Sequence, residues 1–347
     1  MTSTMEVPTA AGASPAPLGA AGNWRFDAKQ AGAARHAPVQ ARLAELGVIS
    51  ATGEDAARFL QGQLTNDVEH LGVDQLRLNG YCTPKGRLLA TFRVWRDATG
   101  VHLLLPKELL PAVLKRLSMF VLRAKARLVD ASADWAADAV FGHGAQERLR
   151  LAFDAAPDAT GQCITVGNLR IARLHGSPRL PERFLLLGPA AGAPAWRQSL
   201  ADLSAVETGA FWWSEIDAGV PTVFAATQEK FVPQMINFEV VGGVSFSKGC
   251  YPGQEVVARS QFRGKLKRRM QLAHGAEAAT AGADVFAEGE AEPVGTVVMA
   301  ASSPDGGVDL LFECPLEKMD SRLHLLSPDG PPLALRPLPY ELVDVTA

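Results

Sequence analysis

Apolar residues recur at three- and four-residue spacing in a few stretches of the chain and at every second position in many more. Regular patterning begins near Val39, where ARLAELGVIS reads as a strand and leads into Thr52-Gly-Glu-Asp55, an [ST]-x-x-[DE] helix entry. In the AARFLQGQLTNDV that follows, Ala56, Phe59, Leu60 and Leu64 share one helix face and are expected in the core. LRLNGYCT and GRLLATFRVWRD, split by Pro84-Lys85-Gly86, predict a hairpin. In its second strand Leu88, Ala90, Phe92 and Val94 alternate with Arg87, Leu89, Thr91 and Arg93, which predicts one buried face. After the strand-like VHLLLP, KELLPAVLKRLSMFVLRAK sets Leu110, Val113, Leu114, Leu117, Phe120, Val121 and Ala124 along one side of a helix, and ARLVD returns as a strand. A tight hairpin joins antiparallel strands, so the pattern predicts an α+β fold and not a doubly wound nucleotide fold. No GxGxxG or GxxxxGK[ST] motif opposes that reading.

Residues 136–210 repeat the mixture: the strand AADAVFG, the helix AQERLRLAF, the strands ITVGNLRIARLH and RFLLLG, and the helix PAWRQSLADL. Beyond them short alternating segments such as KRRMQLAH, VGTVVMAASS and HLLSPDG are cut by Gly, Pro and Asp, and predict a small β-barrel. The expected organisation is a disordered tail over 1–36, two interleaved α+β units over about 37–135 and 136–262, and a C-terminal barrel over 263–347.

Composition narrows the function classes. The 347 residues are 47% hydrophobic and 20% charged, as in ordinary folded domains. A net charge of -3 argues against coating nucleic acid by charge alone, and no direct nucleic-acid contact is expected. Cys82, Cys163, Cys250 and Cys314 form no CxxC pair and the seven histidines form no HExxH, so neither a metal site nor disulfides are expected and a reducing cytoplasm is. The Ala-, Pro- and Gly-rich first 22 residues lack the basic and apolar regions of a signal peptide, and no apolar run reaches the ~18 residues of a membrane span.

The densest chemistry lies in SFSKGCYPGQEVVARSQFRG. Pro252 suits a first helical turn that Gln254, Glu255, Val256, Val257 and Ala258 continue, which would leave Cys250 just before a helix. There the helix dipole and the Lys248 ammonium would favour thiolate, although Cys250 reads equally as a small core residue beside a turn. The same helix start with Lys248 could hold an anion, and Gly249 would permit close backbone approach. Glu255 and Arg259, four apart, read as a helix ion pair.

Lys248-Gly249-Cys250-Tyr251-Pro252-Gly253-Gln254-Glu255 resembles the KGC[FY]xGQE signature of YgfZ-type folate-binding proteins. FLQGQLTNDV, CTPKGRLLA, EIDAGVP and FVPQMINFE extend the resemblance over roughly residues 40–345. Through the related aminomethyltransferase of the glycine cleavage system, it implies three domains in a ring about a folate-binding centre, with mixed and antiparallel sheets and a terminal β-barrel. It further implies a tetrahydrofolate-dependent (or one-carbon-folate-dependent) accessory protein for iron–sulfur enzymes, with client enzymes or assembly proteins as partners. Cys250 and Lys248 then become the reactive pair, with Gly249, Tyr251, Gln254, Glu255, Arg259, Asn66 and Asp67 toward the folate. The alternative is a folate-dependent one-carbon transferase with an unknown acceptor. Glycine cleavage itself is disfavoured, because Arg87-Leu88-Leu89-Ala90-Thr91 lacks the acidic residue those enzymes carry on this strand.

Secondary features admit two readings each. Asn66 and Asp67 could cap the preceding helix or touch ligand. Cys82 reads as a half-buried strand cysteine, and Trp212 and Trp213 as a pair split between core and surface. Arg259, Arg263, Lys265, Lys267, Arg268 and Arg269 form a basic run, either a solvated strand entering the barrel or a rim that attracts the folate glutamate tail or an acidic partner.

Overall fold

The computed structural model describes residues 23–24, 28–262 and 266–342. Its first part runs through β1 (Asn23–Trp24), α1 (Ala28–Ala34), β2 (Val39–Arg42), β3 (Leu46–Thr52), α2 (Ala56–Gln61), β4 (Arg77–Cys82), β5 (Leu88–Arg96), β6 (Val101–Pro106), α3 (Leu110–Met119) and β7 (Arg127–Asp130). The expected hairpin is present as β4–β5 and anchors an antiparallel sheet of order β4-β5-β6-β3-β7. Every residue of β5 from Leu88 to Trp95 is buried, so this strand has two covered faces where its alternation predicts one. The polar half of the alternation is buried because Arg93 meets the Glu215 carboxylate across the molecule.

Two helices are shorter than their periodicity suggests. α2 ends at Gln61, and Leu64 lies past it in a bridge to Tyr81, although it is buried as expected. The Thr52–Asp55 motif marks the helix entry without forming a capping box, since Asp55 Oδ2 instead accepts from the Lys125 amide at 2.8 Å. α3 stops at Met119, which leaves Phe120 exposed while Leu110, Val113 and Leu117 pack inward.

The second sheet is built from β8 (Trp135–Phe141), β9 (Cys163–Val166), β10 (Leu169–Arg173), β11 (Arg183–Pro189) and β12 (Ser204–Val206), with helices α4 (Ala145–Phe153) and α5 (Ala193–Ser199) between its strands. Its order is β12-β2-β8-β11-β10-β9, so the early strand β2 crosses into it, parallel to β12 and antiparallel to β8. ITVGNLRIARLH divides into two strands at Gly167, whose φ of +58° makes the turn. The buried helix α6 (Thr208–Asp217) follows, then α7 (Gln254–Phe262). Trp212 and Trp213 are both fully buried on α6, which corrects their expected division between core and surface.

The last sheet comprises β13 (Arg268–Gly275), β14 (Asp284–Ala287), β15 (Gly295–Ser302), β16 (Val308–Pro315), β17 (Leu323–Leu325) and β18 (Leu333–Arg336). Its order is β17-β14-β15-β16-β13-β18, and a His324–Pro332 bridge brings its ends together into a nearly closed barrel. β1 pairs in parallel with β15. Regular structure therefore reaches earlier than the tail boundary at 36, and Arg35 forms an ion pair with Asp305 in the barrel at 2.8 Å. Residues 1–22 of the expected tail, and Arg263 and Lys265 of the basic run, lie outside the described residues.

Candidate functional site: the signature loop and the central cleft

Gly253 is the hinge between the signature loop and α7. Its φ is +82°, and a Cβ there would lie 2.4 Å from the Thr83 carbonyl oxygen and 2.6 Å from Gly86 in the β4–β5 turn. Only glycine fits so close a backbone crossing. The helix consequently opens at Gln254, and Pro252 belongs to the turn before it rather than to its first residues. Tyr251, Pro252 and Gly253 separate Cys250 from the helix, beyond the first turn to which a helix dipole is confined. Cys250 is the exposed cysteine of the four; Cys82, Cys163 and Cys314 are buried. Burial pushes the Cys82 and Cys314 thiols up to about 12. Cys82 is therefore more deeply enclosed than its strand position suggests.

Lys248 reaches the end of α2. Its ammonium donates to the main-chain carbonyls of Gln61 and, at 2.5 Å, of Leu64, and lies 5.0 Å from the centre of the buried Tyr251 ring. A cation at a helix C-terminus satisfies carbonyls that the helix leaves unpaired. Burial lowers the Lys248 pKa to about 8, against the opposing pull of Asp67 and Cys250. Ser245, upstream in the loop, donates its amide to the Thr65 carbonyl at 3.0 Å. The loop thus grips residues 61–65 at three carbonyls. Gly249 has nothing within 4 Å of the place a Cβ would take, so no protein contact requires glycine there. Gln254 is half-buried, and its amide donates to the Tyr251 carbonyl at 3.1 Å. Glu255 and Arg259 are exposed and form no ion pair with each other among the described residues.

The gripped segment runs directly into Asn66, where a cleft of about 490 Å³ begins. Asn66 Nδ2 donates to the carbonyls of Leu78 (2.9 Å) and Gly242 (2.7 Å), and its Oδ1 accepts from the Asp67 amide at 2.8 Å. Asp67 accepts from the His70 amide at 3.2 Å, sits 3.0 Å from its Nδ1, and pairs at 3.8 Å with Arg77. Burial raises the Asp67 carboxyl, but these bonds outweigh it and the net shift is downward. The geometry at Asp67 is that of a loop cap.

Three guanidiniums, those of Arg77, Arg93 and Arg173, line the cleft with Asn66 and His175 over apolar surface from Leu76, Leu78, Leu174 and Val241. Asp74 is the one carboxylate among the described lining residues. Arg93 is fixed deepest: the fully buried Glu215 bridges it to the fully buried Arg183, whose Nε also donates to Ser214 Oγ at 3.0 Å. Burial alone would raise the Glu215 carboxyl, yet the two cations hold it below the usual carboxylate range. The same surroundings push His175 down to about 4, chiefly through burial, so it stands neutral at pH 7 beside the arginines. A cationic cleft with a neutral imidazole, an amide and a flat apolar wall can hold an anion joined to a heteroaromatic body.

None of Lys248, Gly249, Cys250, Tyr251, Gln254, Glu255, Arg259 or Asp67 lines this cleft; of the residues expected toward the ligand, Asn66 does. Two residues of the basic run are not free for a ligand, because Arg268 pairs with Glu313 and Arg269 with Glu239. Sequence reasoning missed Arg77, Arg93, Arg173, His175 and Glu215. A signal existed for one: a glutamate within the apolar segment FWWSEIDAGV demands a buried partner.

No family model matches the chain. It is 33% identical over 328 residues to the tRNA-modifying protein YgfZ of Serratia proteamaculans, covering 92% of this chain and 98% of that protein. It is 32% identical over 305 residues to the protein of that name from Enterobacter sp., covering 86% and 92%. Among solved structures, glycine cleavage system aminomethyltransferase T from Bartonella henselae superposes with a TM-score of 0.74 at 17% identity, over 90% of this chain and 88% of that one. The fold is that of an aminomethyltransferase, and the identity over nearly the whole length shows that the chain belongs to the YgfZ family.

Proposed function

We propose that the protein binds tetrahydrofolate, or a one-carbon derivative of it, and serves as an accessory factor in the assembly or repair of iron–sulfur enzymes, tRNA-modifying ones among them. The observation that carries the reading is the cleft. Its volume of about 490 Å³ falls within the roughly 300–1,000 Å³ of small-molecule sites, and its donors suit the ligand. Arg77 and Arg173, nearer the surface than Arg93, match the glutamate carboxylates of folate, and the Asn66 Oδ1, as an acceptor, with the neutral His175 offers hydrogen bonds to a pterin. Bound folate would supply reduced-pterin or one-carbon chemistry. This chain's own residues would orient the ligand, with Arg93 preset by Glu215 and Asn66 held by the loop that Lys248 locks.

The exposure of Cys250 favours an accessory role over an enclosed transferase, since a thiol at the surface is open to a partner protein. The strand Leu88–Thr91 also carries no carboxylate for an amine or iminium. The test is anaerobic calorimetry with tetrahydrofolate. One-to-one binding, weakened about tenfold or more in Arg173→Ala, is the expected result. Absence of heat and of competition at about millimolar folate would overturn the folate reading.

A further inference from the structure

A separate cavity of about 260 Å³ opens between α3, the β4–β5 hairpin and Gln228. Leu89, Val113 and Met119 give it an apolar lining, and Lys115, Arg116 and Tyr81 give it a polar one. No carboxylate lines it among the described residues, and neither Lys115 nor Arg116 enters any of their ion pairs. The Arg116 guanidinium interacts with the Tyr81 hydroxyl, but its Nε is buried without a hydrogen-bond partner, which is rare in folded proteins and marks a donor awaiting an acceptor. Gln228 donates its Nε2 to the Leu89 carbonyl at 2.7 Å, and its Oε1 does not accept from the Arg116 Nε. Met119, 58% exposed at the edge, adds a flexible thioether that adapts to an apolar guest.

We infer that this cavity is a second ligand site, for a small organic carboxylate with an apolar body. The carboxylate accepts from the Arg116 guanidinium, with Lys115 completing the charge, and the body lies against Leu89, Val113 and Met119. With two cations and no carboxylate among its described lining residues, the cavity favours an anion over a neutral guest of the same shape. The cavity is smaller than drug-sized pockets, which restricts the ligand to a compact one.

Octanoate titrated into the full-length protein carrying ¹³C-methyl methionine tests this, with the Met119 signal identified by Met119→Leu. The Met119 methyl should shift saturably, and octanol, with the same tail and no charge, should bind about tenfold more weakly or worse. Lys115→Gln with Arg116→Gln should weaken octanoate by a similar factor, and Ala112→Trp should fill the cavity and abolish the shift. The proposal is overturned if no saturable shift occurs up to about 10 mM octanoate, or if octanol binds as tightly. It is equally overturned if the double variant binds octanoate unchanged. Should that variant fail to fold, the octanoate–octanol comparison on the unaltered protein decides.

Discussion

Lys248 and Leu64 lie 184 residues apart and are joined by a 2.5 Å hydrogen bond from ammonium to main-chain carbonyl. That bond couples the signature loop to the segment that carries Asn66 into the cleft. Lys248→Met removes the donor for two carbonyls at the end of α2, and charge-assisted bonds of this kind contribute about 1.5–3 kcal/mol each before desolvation is counted. A net loss of about 1–3 kcal/mol in urea unfolding is expected, with weaker folate binding in the same variant. Unchanged values in both would sever the coupling.

The same lysine should imprint a pH dependence. Its pKa is about 8 in the folded protein, against an ordinary value of 10.5. Between these values the unfolded chain holds more protons, so the Lys248 contribution makes stability rise with pH across that window. The neutral amine still donates to both carbonyls. Urea midpoints at pH 7, 9 and 10.5 should climb for the unaltered protein relative to Lys248→Met, and a parallel pair of curves would rule the effect out.

Glu215→Gln strands Arg93 and Arg183 as like charges in the interior. Breaking a buried pair in this way costs about 3–5 kcal/mol, and chemical denaturation should find a loss of that size. A loss under about 1 kcal/mol would mean that solvent reaches the triad.

A thiol reagent should find one fast cysteine in the native protein, Cys250, and three more only on unfolding. Cys250→Ser should remove the fast phase while leaving stability within about 0.5 kcal/mol, as for most surface substitutions. Fast labelling that survives the substitution would place the accessible thiol elsewhere.

Gly253→Ala introduces a Cβ 2.4 Å from the Thr83 carbonyl oxygen at a left-handed φ. A destabilisation well above about 1 kcal/mol is expected, together with faster proteolysis at residues 245–253 as the loop leaves the hairpin. A fully stable variant would show that the crossing can widen without loss.

The signature loop could be singled out from residues alone because its cysteine, lysine and glycines are neighbours in the chain. The cleft could not. Arg77, Arg93 and Arg173 come from three strands in two sheets, and none has a local pattern that sets it apart from an ordinary surface arginine. Alternation in β5 showed that its residues point to two sides; it could not show that α6 would later cover the second. Phe120 continues the period of α3 but lies past its end, where Leu122 takes a left-handed φ of +43° and the chain turns back toward β7. Periodicity records which residues would share a face, and the backbone decides how far that face extends.

The crossing of β2 into the second sheet imposes an order on synthesis. The sheet of β3 to β7 is complete once Asp130 has left the ribosome, whereas β2, made earlier, pairs with β8 and β12 that come later. At roughly 5–20 residues per second, β2 waits on the order of ten seconds for its parallel neighbour. Until β8 emerges, Val39 and Ala41, buried in the finished protein, have no strand of their own sheet to pair with. The nascent chain therefore carries an unsheltered strand ahead of an already folded unit, and a stall between residues 130 and 204 would prolong the period in which that strand is open to a wrong partner.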